Sequence, residues 1–423
     1  MDLAVRQLIV LTSQLIGFPR HLSQHTGGFV LTKDLLCRMV PVENASMPDR
    51  TVIEWDKDDL DAAGLLKVDV LALGMLSAIR RALDMIGQRR GYEFGMQDIP
   101  AEDSATYDMV CKADPIGVFQ IESRAQMSML PRLRPRCFYY LVVEVAIVRP
   151  GPIQGGMVHP YLNRRQCKAP VTYPSEALKT ALGRTLGVPV FREQMMQISI
   201  LAAGFTPGEA DGLRRAMAAW KRQGALGKYY NKIVDGMTSR GYERAFAEEI
   251  FEQIKGFSEY GFPESHAASF ALLVYAYCWI KCHEPAAFLA ALLNSQPMGF
   301  YIPSQLVQDA KRHGVEVRPV DVMFSDVETP REDLPNTPAV RLGLHMIHGL
   351  RATSAQRIMD ARCKAPFDNA EELARQARLE QHEIKLLAAA GALATLSGHR
   401  RQQVWDAAAL HAPPELLQDA PCG

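Results

Sequence analysis

Asp69 stands inside the apolar run LLKVDVLAL, where a carboxylate is costly to bury without a cation or a metal beside it. Alternation along a strand puts Lys67 and Asp69 on one face and Val68 and Val70 on the other. One lysine next to one carboxylate on the same sheet edge suits a metal-bound polyphosphate, and a salt-bridged strand end fits the same spacing equally well. The denser cluster WDKDDLD, with Asp56, Asp58, Asp59 and Asp61, precedes Leu60 and Leu65 like the acidic start of a short helix. There carboxylates favour the positive end of the dipole, so it is read as a solvated face.

Two further groups of residues have the chemistry to meet an anion. GEADGLRRAMAAWKR places Arg214 and Arg215 one turn after an acidic helix start, with Lys221 and Arg222 two turns further on. Adjacent arginines point about 100° apart on a helix, so one can take a phosphate while the other pairs with a carboxylate, and a plain surface ion pair fits as well. EYGFPESHAASF predicts a helix opened by His266 after Pro263, with Tyr260 and His266 near its N-terminus, either at an anion site or as ordinary capping residues.

Whole-chain charge decides nothing, since 47 basic and 47 acidic side chains cancel. Local charge does. Arg124, Arg132, Arg134, Arg136, Arg149, Arg164, Arg165 and Lys168 face a single acid, Glu144, across residues 124–168, a net of 8 − 1 = +7 that marks an anion footprint. In HMIHGLRATSAQRIM, Gly349 and the helix carrying Ala355 and Ile358 look like half of a helix-hairpin-helix, whose backbone N–H groups meet nucleic-acid phosphates. Arg351 stands where its second glycine is usual, and the partner hairpin near Gly391 is fainter.

The eight cysteines lack the paired spacings of a zinc site or a disulfide framework. Cys278, Cys282 and His283 lie close together in an apolar helical run and are read as buried thiols and a neighbour. With 48% hydrophobic and 22% charged residues the chain has the balance of a globular protein, and its 423 residues suit two to four domains. The start, MDLAVRQLIVLTSQLIGFPRH, has neither a basic lead nor a small-residue cleavage site, and no apolar stretch reaches a membrane span, so a cytoplasmic location is expected.

Those residues need elements to hold them. The periodicity predicts a helix over 3–16, strands in GGFVLT, TVIEW and LLKVDVLAL forming a mixed sheet, and a helix LSAIRRALDMIGQRR directly after Gly74. Further helices are predicted over 101–112, 122–131, 138–148, 192–203, 207–222, 241–255, 266–282 and 284–294. GVEVRPVDV reads as a strand. A boundary is expected in the acidic, proline-containing stretch 326–338, followed by short helices to about 396.

Taken together, HLSQHTGGFVLT, VPVENASMPDRTVIEWDKDDLDAAGLLKVDVLALG, GVFQIESRAQM, VEVAIVRPGPIQGGMVHPYL, AAGFTPGEADGLRRAM, GFSEYGFPESHAASFALLVYAYCWIKCHEPAAF and LLNSQPMGFY resemble the bacterial C-family DNA polymerases, in order and over nearly the whole chain. FPESHAASFALLVY and NSQPMGFY resemble the error-prone, SOS-associated branch in particular. Arg192, where the family tends to have glutamine, and Gly156, where the branch often has aspartate, depart from it.

The resemblance implies a mostly α, α+β fold: the end of a thumb over 1–24, the C-terminal part of a nucleotidyltransferase-type palm over 25–76, helical fingers over 77–325, a tandem helix-hairpin-helix region over 326–400 and a linker toward an OB-fold over 401–423. It implies that Asp69 is the third catalytic and Mg²⁺-binding aspartate, and that Lys67, Arg214, Arg215, Tyr260 and His266 serve the incoming nucleotide. It implies that Arg124, Arg149, Arg164, Arg165 and Gly349 contact DNA. Primed template and deoxynucleoside triphosphates are the implied partners, with a sliding clamp and mutagenesis accessory proteins beside them. No PDIDxDF-like segment occurs, so the other two aspartates are expected upstream of Met1 and the piece alone is expected to be inactive; the alternative is a non-catalytic DNA-binding remnant.

Overall fold

The computed structural model describes residues 3–16, 28–45, 50–55, 57–69, 73–149, 152–153, 156–218, 227–259, 262–298, 301–333 and 338–409. The chain divides into two compact units, Met1–Leu73 and Gly74–Gly423.

In the first unit, helix α1 (Leu3–Leu15) has no buried residue, and Leu8, Leu11 and Leu15 stand exposed. Strand β1 (Gly28–Leu31) pairs antiparallel with β4 (Leu66–Asp69), while β2 (Val42–Asn44) and β3 (Thr51–Ile53) form a separate antiparallel pair. The expected single mixed sheet is therefore two antiparallel pairs among the described residues. The short helix α2 (Lys57–Ala62) follows Asp56, as the acidic start of WDKDDLD suggests, and its Leu60 joins Val40 and Leu65 in a small core with Val30, Leu36, Val42 and Ile53 around it. Strand β4 ends at Asp69 and helix α3 (Leu73–Arg90) takes up Leu73 and Gly74, earlier than predicted. An apolar run of this length fits either element, and Ile79, Leu83 and Ile86 continue it at helical spacing into the core.

The second unit is built on α4 (Ser104–Cys111), α5 (Arg124–Leu133), α6 (Phe138–Ile147), α7 (Val158–Arg165), α8 (Glu176–Leu182), α9 (Arg192–Leu201), α10 (Pro207–Ala218), α11 (Gly227–Thr238), α12 (Arg244–Glu259), α13 (Glu264–His283), α14 (Pro285–Asn294) and α15 (Pro303–Arg312). Helix α6 is apolar on every side but for Glu144, and all residues from Leu141 to Ile147 are buried. A helix of that kind belongs at the centre, and it packs along α13, itself buried from Val274 to Lys281. The Cys278 thiol is enclosed there, with its pKa pushed up by burial, and His283 bonds Asp103 at 2.8 Å. Among the described residues no group of three His, Cys, Asp or Glu side chains could hold an ion, and no helix is long and apolar enough to cross a membrane.

Two charges are buried in this core with opposite fortunes. Lys281, almost fully enclosed, reaches Asp309 at 2.9 Å, Asp114 at 3.2 Å and the Ile116 carbonyl at 3.0 Å, and His313 closes the network with Nε2 2.5 Å from Asp114. Glu144 in α6 has no accessible surface and, among the described residues, neither carboxylate oxygen has a partner, so burial drives its pKa well above the usual carboxylate range. Glu122 is pushed the same way, to about 8, by burial, which outweighs the Gly117 N–H and Lys281. Both groups ionise more readily unfolded, so their contribution to stability is full below about 4.5 and drains away as pH rises toward their folded values. Glu144→Leu should therefore stabilise the chain at neutral pH by about 1–3 kcal/mol and flatten the loss between pH ~5 and ~8. Urea melts at the two pH values measure both; a variant less stable than the parent at the higher pH would reject the reading of Glu144 as an uncompensated acid.

A second core runs from Val320 to Ala407 around α16 (Ala352–Lys364), α17 (Ala370–Gln376), α18 (Gln381–Ala390), α19 (Ala394–Ser397) and α20 (Arg400–Ala409). Strand β5 (Glu316–Arg318), just before this stretch, and β6 (Arg331–Asp333) and β7 (Pro338–Arg341), within it, form a sheet in the order β5–β7–β6, parallel then antiparallel. The acidic stretch after Asp326 is thus no loose connection. Asn294 exchanges two hydrogen bonds with the Thr329 backbone (2.7 and 2.9 Å), and Arg331 joins Arg89 and Arg90 on the buried Glu284 carboxylate.

Candidate functional site

In the first unit, β4 carries Lys67 and Asp69 two residues apart at the strand's end. The register sets Val30 opposite Lys67 and Gly28 opposite Asp69. Val30 faces the small core, so Lys67 lies on that half-buried face, while Phe29, Leu31 and Leu66 leave the other face apolar and exposed. The Asp69 side chain lies outside the described residues. Asp59, from the acidic cluster, is exposed on α2.

In the second unit, Arg214 and Arg215 lie on α10 and both turn to one carboxylate, Asp211: Arg214 Nη2 at 2.9 Å and Arg215 Nε at 3.3 Å. Both remain largely exposed. Their spacings of three and four residues from Asp211 make this the local outcome of a helix, whatever each side chain meets in a complex. Glu209, one turn earlier, is held by Lys232, which lowers its pKa to about 2. Lys221 and Arg222 lie outside the described residues, as does Tyr260.

His266 is the third residue of α13, which begins at Glu264 rather than at the histidine itself. Its ring lies 4.8 Å from Phe262 and 4.6 Å from Phe270, and Phe270 is 5.5 Å from Phe119. Arg149, at the end of α6, caps this aromatic row: its guanidinium stands 5.0 Å over Phe262 and donates to the Gln120 side chain. Gln120 has φ +68, a conformation costly for a non-glycine residue, and Gln126 bonds its carbonyl. The N-terminus of α13 is already furnished with acid, since Glu193 accepts from the Glu264 N–H at 3.1 Å and Glu264 meets Tyr139 and Arg184. Burial and the bond to Glu264 push the Tyr139 phenol up. Gln120 and Phe262 were not singled out from the sequence. The only signal was that GVFQIE and RPG occur in the same chain, and nothing in either tells that they meet.

The basic segment divides by use. Arg124, first in α5, is exposed. Arg164 donates to the Leu186 carbonyl at 2.7 Å, and Arg165 donates to the Leu133 and Arg134 carbonyls at 3.2 Å while stacking 3.6 Å over Tyr140. Those two guanidiniums fasten α7 to its neighbours and to the end of α5. In the C-terminal core Gly349 has φ +86, the left-handed turn that favours glycine, just before α16. Arg351 has φ −73 as the N-cap of α16, an ordinary conformation, so the hairpin keeps its shape with arginine at the position where a second glycine is usual. Gly391, at φ +75, ends α18 in the same left-handed way.

Comparison with known proteins bears on all three regions. Residues 1–72 match the bacterial DNA polymerase III alpha NTPase domain, 75–241 the bacterial DNA polymerase III alpha subunit finger domain and 314–403 the helix-hairpin-helix motif. The chain is 63% identical over 417 residues to the error-prone DNA polymerase of Bordetella bronchiseptica, covering 98% of this chain and 40% of that protein. It is 62% identical over 434 residues to that of Burkholderia pseudomallei (99% and 40%) and 59% identical over 435 residues to that of Methylococcus capsulatus (98% and 42%). The chain thus spans about two fifths of the length of these curated relatives. Matched in order from end to end, with an NTPase-domain segment, a finger domain and a helix-hairpin-helix motif, the chain is a homologue of about two fifths of the length of the bacterial error-prone DNA polymerases, relatives of the DNA polymerase III alpha subunit.

Proposed function

We propose that these residues serve template-directed DNA synthesis in damage-induced, error-prone repair in the cytoplasm, as the palm-end, fingers and hairpin part of a whole polymerase. The observation that carries the reading is the 63% identity to an error-prone polymerase over 98% of the chain. Residues 1–24 end the thumb, 25–76 belong to the palm, 77–325 are fingers and 326–400 the hairpin region; of the stretch 401–423 expected as a linker, 401–409 belong to α20, whose Gln403 and Ala407 are buried.

In this reading Asp69 supplies one carboxylate ligand for Mg²⁺. Strand alternation sets Lys67 two residues away on the same face of β4, opposite Val30 of β1. Mg²⁺ held there would supply activation of the primer hydroxyl and neutralisation of charge on the leaving pyrophosphate. One carboxylate would not hold a pair of ions, so further ligands would have to join Asp69. Lys67 then faces the triphosphate. Arg214 and Arg215 leave Asp211 for the triphosphate, exchanging one charge-assisted bond for another. Tyr260 and His266 border the nucleotide, His266 being steadied by the rings of Phe262 and Phe270. Arg124 and Arg149 meet template or primer phosphates, Arg164 and Arg165 hold the surface that presents them, and the turn at Gly349 offers backbone N–H groups to DNA. A sliding clamp and mutagenesis proteins are partners of the whole enzyme.

The chain by itself should bind primed DNA but not extend it. Its affinity should fall at least tenfold between about 50 and about 200 mM salt, as neutralised phosphates release counterions. Fluorescence anisotropy on a labelled primer-template measures the first, and incubation with Mg²⁺ and all four nucleotides the second. A salt-independent affinity would count against the basic segment as a DNA surface, and template-dependent product would show that one aspartate is not the limit.

A further inference from the structure

The helix that closes the C-terminal core, α20, has an outward face that nucleotidyl transfer does not use. Gln403 and Ala407 are its buried residues, and Gln403 ties it inward through the Gly398 carbonyl at 2.7 Å and the Leu393 N–H at 3.2 Å. At about 100° per residue, Arg401, Val404, Trp405 and Ala408 fall on the opposite side, and all four are exposed, Trp405 with 64% of its surface open. Arg401 lies one turn before Trp405, and Arg400 precedes it.

The charge on this face is unopposed. Neither Arg400 nor Arg401 enters an ion pair among the described residues. The one acid of the helix, Asp406, lies on its flank and accepts from Gln402 at 2.7 Å. His399 is spent on the helix start, its Nδ1 accepting the Gln402 N–H at 3.2 Å. An open indole one turn from the uncommitted Arg401 guanidinium, with Arg400 exposed at the start of the helix, is a combination that suits single-stranded nucleic acid: every base has a face to stack, and cations follow the backbone.

We propose that this face contacts single-stranded DNA, Trp405 stacking on an unpaired base while Arg400 and Arg401 take the flanking phosphates. A protein interface fits less well. Stable ones bury about 800 Å² on each partner, far more than one helix face with two apolar side chains supplies, and pairing with a second copy would bring like charges together. The inference rests on the reading that the hairpin region binds DNA, and adds to it a contact that prefers unpaired bases.

The test uses the full chain with a labelled oligothymidylate of about 12 nucleotides and a blunt duplex. Trp405→Ala should weaken oligothymidylate binding roughly tenfold or more, Trp405→Phe should keep most of the affinity, and Arg400→Ala with Arg401→Ala should weaken binding and flatten its salt dependence by about one to two phosphates. Duplex affinity should stay within about twofold of the parent in all three. An unchanged oligothymidylate affinity in Trp405→Ala overturns the inference, as does an equal loss on duplex. So does a sedimentation experiment in which Trp405→Ala dissociates a dimer without touching DNA affinity, which would make the face a protein contact. If the parent binds neither oligonucleotide, the DNA-binding reading of the region fails, and this inference with it.

Discussion

Asp69→Asn in a full-length error-prone polymerase carrying these residues should abolish synthesis, by at least about 10³-fold, more than is lost with a single neutral transition-state donor. The change keeps size and hydrogen-bonding capacity and removes only the charge proposed to hold Mg²⁺, so folding and DNA affinity should stay at the parent's level. Arg214→Ala or Arg215→Ala should act differently, raising the apparent KM for nucleotide by the ~1.5–3 kcal/mol of a charge-assisted bond. Asp59→Asn, on the exposed acidic helix, should do little. Single-turnover extension with a titrated nucleotide separates these effects. If Asp59→Asn silenced the enzyme and Asp69→Asn did not, the metal site would have to be rebuilt around WDKDDLD.

The largest stability effect should come from Lys281→Met. Its ammonium is the shared partner of Asp309 at 2.9 Å and Asp114 at 3.2 Å, and Asp309 is itself buried. Removing one member of a buried ion network leaves uncompensated charge, which costs about 3–5 kcal/mol, whereas replacing the set with apolar residues can be close to neutral. Lys281→Met combined with Asp309→Leu should therefore recover part of the loss. Urea unfolding followed at the buried Trp279 reports both, and a single variant that loses less than about 1 kcal/mol would show that Asp114 and Asp309 do not depend on the lysine. The network joins α13, α15 and the loop at Asp114, so its loss should loosen the helical core while leaving the small strand unit unchanged.

Much of the architecture was legible in the sequence because it is local. Helical spacing placed α6, α9, α13 and α14 to within a few residues, and the helix-hairpin-helix turn was marked by one glycine whose φ of +86 the fold requires. The acidic run before Leu60 made a short helix for the dipole reason given at the outset. Where apolar runs were continuous, periodicity had nothing to distinguish: LLKVDVLAL reads as one strand, yet among the described residues it is strand over Leu66–Asp69 and already helix at Leu73.

Partnership, by contrast, depends on which distant segments the fold brings together. Eight basic residues in one stretch look alike in the sequence. Only the tertiary structure commits Arg164 and Arg165 to backbone carbonyls, sets Arg149 over Phe262 and leaves Arg124 open. Nothing local tells that Lys281 has two carboxylates waiting for it and that Glu144 has none, because the partners lie on other helices or are missing. The identity of the chain, finally, was carried by the order of its motifs over its whole length. Each motif alone fits a common structural role, and no ordinary packing requirement would set them in that order.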